Sequence, residues 1–256
     1  MIRIFLGNVG SGKTISAVKD LVDNEINPYG CHTFSNIITK TKGKYKISKN
    51  HVINRDMLIH KELVKVKKTG EEVYKYVFNK EQWLKFKEKY GSFSVVLDEA
   101  HTLIDARRFN SRQNTCMNDF LALIRKICNT PDTDSSLTLI SQLHNRIDLN
   151  ARQLATEVRY HICVYTKVCN KCGAYWDEHS EMSDYKKLKK CPKCNWYGLK
   201  KINHRLVVHF FNNMKEYEDW FYNKNDTMFV TIKINNISKY FNYYDTYQLS
   251  DLISED

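Results

Sequence analysis

Residues 7–14 read Gly7-Asn8-Val9-Gly10-Ser11-Gly12-Lys13-Thr14, directly after the apolar run Ile2-Arg3-Ile4-Phe5-Leu6. The octet meets the pattern G-x-x-x-x-G-K-[ST] in full. The run before it has the length of a buried strand. After it, Ile15, Val18, Leu21 and Val22 recur at helical spacing to about Asn24. Strand, glycine-rich loop and helix are what a phosphate-binding loop requires. Its glycines let successive backbone N–H groups turn towards an anion. The helix N-terminus adds partial positive charge at the same place. Gly7, Asn8, Val9, Gly10, Ser11, Gly12, Lys13, Thr14 and Ile15 are therefore expected to cradle ATP. Lys13 would reach the β- and γ-phosphates, and Thr14 would place its hydroxyl on Mg²⁺.

Such a loop needs a carboxylate at the end of a neighbouring strand. Val95-Val96-Leu97-Asp98-Glu99 supplies one, in an apolar run from Phe93 that reads as a buried parallel strand. Asp98 is expected to share the Mg²⁺ with Thr14. Glu99 can polarise the attacking water as general base, which separates a hydrolase from a nucleotide sensor. A third strand, Leu137–Ile140, ends at Ser141-Gln142. If it lies beside the loop strand, the Gln142 amide faces the γ-phosphate. Asp98-Glu99-Ala100-His101 also spells the DEAH of certain helicases. Those enzymes hold two motor lobes in one chain, and no second set of motifs follows here. His101 reads as a strand-end packing residue or a minor contact rather than a catalyst.

The rest of the chain fits a globular α/β protein. It has 256 residues, 42% of them hydrophobic, and a formal net charge of +11. No apolar run approaches the ~18–20 residues of a membrane helix. The start leaves no room for a signal peptide, so a soluble, cytoplasmic protein is expected. Residues 38–90 hold 15 Lys and Arg against 6 acids, a balance that favours a polyanion partner. Within them, Leu63–Val66 and Val73–Val77 alternate around a turn and predict a hairpin. Cys31–Ile38 predicts a strand. Lys80–Tyr90, Asn114–Cys128 and Lys215–Tyr222 predict helices, and Glu157–Val168, Arg205–Phe211 and Met228–Ile234 predict strands. The tail from Tyr240 is aromatic, then acidic, and suits either a neighbouring subunit or a loose end.

Cys169-Asn170-Lys171-Cys172 and Cys191-Pro192-Lys193-Cys194 form two knuckles 18 residues apart. In an intracellular protein this spacing signals zinc. Cys169, Cys172, Cys191 and Cys194 would give a four-thiolate site with no open position, hence a structural one. The module interrupts two strands, so residues 167–202 read as a zinc ribbon inserted into an ATPase domain of residues 1–166 and 203–256. Nine lysines against four acids lie between 167 and 201, interleaved with Tyr175, Trp176, Tyr185, Trp196 and Tyr197. The aromatics read first as a miniature core and second as a nucleic-acid surface.

The order of P-loop, Asp98-Glu99, Arg125-Lys126 and the strand ending in Gln142 resembles the FtsK–HerA superfamily of ring-forming ATPases. With Ala106-Arg107-Arg108 after Asp98-Glu99, it is similar to viral genome-packaging ATPases and their Zot-like relatives. The resemblance covers residues 1–166 and 205–234. It implies a RecA-like core and hydrolysis at the interfaces of a hexamer-like homo-oligomeric ring threaded by double-stranded DNA. It also implies capsid or portal partners, with the ring at the capsid during packaging. An arginine from the neighbour would stabilise the transferring phosphoryl group. Arg125 occupies the family's position for it, with Arg107, Arg108, Arg146 and Arg152 as alternatives. An inserted Asn129–Ser135 loop departs from the pattern. Two rivals stand beside the translocase. A Zot-type virion assembly ATPase usually carries a membrane helix, and a nucleotide-switched DNA-binding protein would have little use for Glu99.

Overall fold

A computed structural model describes residues 1–65, 70–103, 112–128, 135–177, 187–224 and 227–249. The chain opens with β1 (Ile2–Leu6), α1 (Lys13–Ile26), β2 (His32–Ser35), β3 (Ile37–Thr39), β4 (Asn50–Val52) and a single turn, α2 (Arg55–Leu58). Next come the hairpin β5 (Ile59–Lys65) and β6 (Glu72–Phe78), then α3 (Lys80–Tyr90), β7 (Phe93–Leu97), α4 (Arg112–Cys128) and β8 (Leu137–Ile140). The remainder is α5 (Leu149–Gln153), β9 (Glu157–Cys169), β10 (Tyr175–Trp176), β11 (Leu199–Phe211), α6 (Met214–Asn223), β12 (Val230–Asn235) and β13 (Tyr244–Leu249).

The main sheet runs β12-β11-β9-β1-β8-β7-β2-β4. From β9 to β4 every neighbouring pair is parallel, while β11 and β12 add antiparallel strands at one edge. This is the expected α/β architecture. β8 lies between β1 and β7, so the strands ending in the P-loop, Gln142 and Asp98 stand side by side.

Side-chain alternation sends each strand's residues to two cores. Ile2, Ile4 and Leu6 of β1, with Val95, Leu97, Leu137 and Leu139, pack under α3 and α4. Phe5, Val96 and Ile140 face the other way, onto Ile15, Val18, Leu21 and Val22 of α1. Trp83 is fully buried and meets Phe34, Phe93 and Phe120 at ring-centroid distances of 5.6, 5.8 and 5.2 Å. Asn79 caps α3 by accepting from the Gln82 N–H, and Gly91 ends the helix at φ 69°. α6 opens on a reciprocal cap, in which Asn213 accepts from the Glu216 N–H and donates its amide to the Glu216 carboxylate.

Two expectations need correction. Cys31–Ile38 is two strands, because Asn36 turns its side chain into the Asp98 backbone and breaks the run. β2 stays in the main sheet while β3 pairs with β13. The aromatic start of the tail is not loose but packs on its own chain. Ile237, Tyr240 and Tyr244 are buried under α1 in the same chain. The acidic residues from 250 onward lie outside the described residues. Among the described residues no helix is long and apolar enough to cross a membrane.

Candidate nucleotide site

β1 delivers the P-loop to the C-terminal edge of the sheet. Two of its glycines are fixed by close approach. A Cβ on Gly7 (φ 144°) would stand 2.6 Å from the His161 carbonyl oxygen, and one on Gly12 (φ 91°) would stand 2.8 Å from Leu206 Cδ1. β9 and β11 therefore press the loop into shape. Lys13, beginning α1, folds back and donates from Nζ to the carbonyls of Gly7 (2.8 Å) and Asn8 (2.9 Å). Burial lowers its pKa, and the Glu99 and Asp98 carboxylates oppose that shift. A buried ammonium between its own carbonyls and two carboxylates is poised for an anion. Val9 stands exposed at the loop tip. The Ile15 side chain turns into the core, leaving only its backbone for a ligand.

Thr14 Oγ1 donates to Asp98 Oδ2 at 2.7 Å, across 84 residues of sequence. Burial pushes the Asp98 carboxyl up, against the Thr14 hydroxyl and the Glu99 N–H. A hydroxyl oxygen and a buried carboxylate oxygen in contact form the hard-oxygen pair that fits a divalent cation such as Mg²⁺. The Asp98 backbone is held from both sides, its N–H donating to Asn36 Oδ1 at 2.7 Å and its carbonyl accepting from Asn36 Nδ2 at 2.9 Å.

Glu99 adopts φ 50°, ψ 41°. A left-handed conformation is strained for a residue with a Cβ and persists where the surroundings over-determine it. Here it turns the carboxylate towards Gln142, whose Nε2 donates to Oε1 at 3.4 Å. The other oxygen, Oε2, lies 3.2 Å from His101 Nδ1. Of the two readings of His101, packing or minor contact, the geometry fits the second, since it faces the candidate base.

Sequence reading missed three residues here. Asn36 carried one signal, a polar amide interrupting an apolar strand. Tyr244 reaches the site from β13. Burial raises its hydroxyl to about 12, and the Asp98 charge adds to the rise. His161 lies behind the loop, with Nδ1 donating to the Leu6 carbonyl at 3.2 Å, and burial lowers its pKa to about 3. Of the arginines, Arg125 falls on α4. That helix leaves the nucleotide edge, so Arg125 sits ~20 Å along it, towards the opposite edge. Its side chain, like Arg107 and Arg108 and most of the Asn129–Ser135 loop, lies outside the described residues. Arg152 is engaged within the chain, donating to the Ile147 carbonyl and to Glu218. A cavity of about 470 Å³ opens at the opposite edge of the sheet. Arg159 there is held by Asp20 and Glu157, and Arg3 donates to Ser136. None of the P-loop residues lines it.

The four knuckle cysteines converge. Their sulfurs lie within 4.8 Å of one another, with Cys169–Cys194 at 3.5 Å and Cys172–Cys191 at 3.6 Å. A tetrahedron with metal–sulfur bonds near 2.3 Å has edges of about 3.8 Å, so the cluster could hold zinc. The Cys172 N–H, outweighing burial, holds the Cys169 thiol down to about 6. The aromatics do not form the expected miniature core. Trp176 alone is buried beside the cysteines, while Tyr175, Trp196 and Tyr197 are 59%, 48% and 73% exposed. Tyr185 lies outside the described residues.

No curated protein matches the chain. Among solved structures it is similar to the N-terminal domain of zonular occludens toxin from Neisseria meningitidis. The identity is 15%, over 95% of this chain and 98% of that one, with a TM-score of 0.49. It is also similar to the genome packaging NTPase B204 from Sulfolobus turreted icosahedral virus 2, at 11% identity over 90% and 95%, with a TM-score of 0.40. Likenesses this remote carry no argument alone. A family model described as Zonular occludens toxin (Zot) matches residues 1–168. That span runs from β1 almost to the end of β9 and holds the P-loop, Asp98, Glu99 and Gln142. The chain belongs to the zonular occludens toxin (Zot) family.

Proposed function

We propose that this protein is an ATP-hydrolysing motor that moves double-stranded DNA, working as a ring of identical subunits in the packaging of a viral or mobile-element genome. The observation that carries the reading is the Thr14–Asp98 contact of 2.7 Å, with Glu99 next to it and Gln142 on the intervening strand. A nucleotide sensor needs the first pair, and a hydrolase also needs the second. In this reading Lys13 exchanges its two loop carbonyls for phosphate oxygens. Thr14 and Asp98 hold Mg²⁺, which when bound would neutralise charge on the β- and γ-phosphates. Glu99 takes a proton from the attacking water, and Gln142 orients that water. Arg125 is assigned to a neighbour's site, which requires the neighbour to present the far edge of its α4.

The net charge of +11 supports a polyanionic track, and the Zot family membership supports a role in virion assembly. Residues 167–202 are read as a zinc-holding unit inserted between 1–166 and 203–256. Capsid or portal proteins are the assigned protein partners, met in the host cytoplasm. The test is steady-state ATP turnover with and without duplex DNA. A motor raises its turnover on DNA. A second reading, an assembly ATPase that moves no DNA, is favoured by the family match itself, and there hydrolysis is indifferent to DNA.

A further inference from the structure

β9 and β11 pair along their whole length, from Val158–Phe211 at the base to Cys169–Leu199 at the tip. At the base, Tyr160 stands level with Leu6, the last residue of β1. β12 accompanies β11 as far as Arg205, level with Val164, and the last five residues carry β9 on to Cys169, ~15 Å beyond the sheet's C-terminal edge. The cysteine cluster therefore stands on an arm that leaves the molecule from the nucleotide edge. The arm's base is the pair of strands that presses on Gly7 and Gly12.

The tip is unusual in its surface. Lys171, Lys189, Lys190 and Lys193 are exposed, and among the described residues of the tip the one acid, Asp177, is buried and held by Arg205 at 3.3 Å. The three exposed rings each lie under a cation. Lys171 is 5.2 Å from the Trp196 centroid, Lys190 is 5.3 Å from Tyr197, and Arg205 is 5.9 Å from Tyr175. Each ring thus braces a positive charge over one face, where the cation competes with a stacking base. A surface that recognises single strands stacks bases on free rings. A surface of braced point charges suits phosphates at fixed spacing.

We infer that the tip of the β9–β11 arm is a contact for the phosphate backbone of duplex DNA. The contact deepens the motor reading and rests on it. It ties a DNA-facing tip to a base that shapes the P-loop, so one hairpin runs from the P-loop to the track.

The experiment is duplex binding by fluorescence anisotropy across a salt series, using full-length protein. Wild type is compared with K171Q/K189Q/K190Q/K193Q, which keeps all four cysteines, and zinc content verifies that the tip is intact. The variant should bind duplex roughly tenfold or more weakly at moderate salt. The slope of log K against log salt should be shallower by about 3–4, close to 0.9 per lost phosphate contact. Its DNA-independent ATP turnover should be unchanged. An unchanged slope and affinity would overturn the inference while leaving the motor reading in place. So would a loss confined to single-stranded DNA, or retained DNA binding with a smaller assembly by light scattering, which would make the tip a protein contact. If wild-type protein binds no duplex at all, the motor reading fails along with it.

Discussion

The nucleotide site and the cysteine tip are built in opposite ways. Tyr244 of β13 apart, the site gathers residues from five separate segments. Lys13 and Thr14 follow β1, Asn36 follows β2, Asp98 and Glu99 follow β7, Gln142 follows β8 and His161 lies on β9. Only the strand order of the whole sheet brings them together, so the site is a product of the core. The tip draws its four sulfurs from two knuckles of four residues each, a cluster that could hold a metal. Its sulfurs converge through local turns at Gly173 (φ 69°) and Asn195 (φ 57°), on a hairpin that would otherwise end in solvent. The Zot match covers the first region and stops one residue short of Cys169. The difference predicts that the tip can be lost while the core stays folded.

The largest effect tests that separation. Cys191→Ser removes a buried ligand. Structural zinc sites contribute on the order of 10 kcal/mol to the folding of their module, so bound zinc should fall from one per chain to none. Circular dichroism melting of the core and basal ATP turnover should stay as in wild type. A core that unfolds with the tip would break the comparison.

Acid sharpens it from the core side. His161 has its folded pKa lowered to about 3, from 6.5, by burial. The unfolded chain therefore takes up the proton first, and stability is lost as pH falls from 6.5 towards 3. At about 1.4 kcal/mol per pKa unit, the loss from this group is up to roughly 4–5 kcal/mol. His32, His51, His144 and His209 are shifted the same way, also chiefly by burial. Urea unfolding of His161→Gln should show a flatter dependence on pH than wild type over this range. Equal slopes would mean His161 is not held neutral.

A smaller effect belongs to Asn36→Ala. It strips two hydrogen bonds from the Asp98 backbone in a buried place. Unfolding should be easier by about 1–3 kcal/mol, with nucleotide affinity reduced and zinc content untouched. Loss of stability without loss of affinity would show that Asn36 supports the fold but does not aim Asp98.

Much of this was legible in the sequence because its signals are short. The P-loop is eight consecutive residues, and each knuckle is four. β7 and β8 lie at the predicted positions because apolar runs announce them, and α3 spans the residues read as a helix. What stayed hidden depends on distant partners. β3 and β13 pair across about 200 residues, and nothing local in Ile37–Thr39 or Tyr244–Leu249 names the other. Asn36 looks like a flaw in a strand until Asp98 is beside it. His101 reads as packing until the strained Glu99 backbone turns the carboxylate to it. At the tip, composition could not say which rings were covered. Four cysteines enclose so small a space that, among the described aromatics of the tip, Trp176 alone is buried beside them, with Ala174, Leu188 and Leu199.

In the proposed function the P-loop, Asp98, Glu99 and Gln142 form one hydrolytic site. Its most direct test is Glu99→Gln, measured twice on the same preparation, for ATP affinity by isothermal titration and for ATP turnover. The account predicts affinity close to wild type and turnover lower by about 10²–10⁴-fold, the usual contribution of a general base. Turnover within a few-fold of wild type, with ATP still bound, would contradict it.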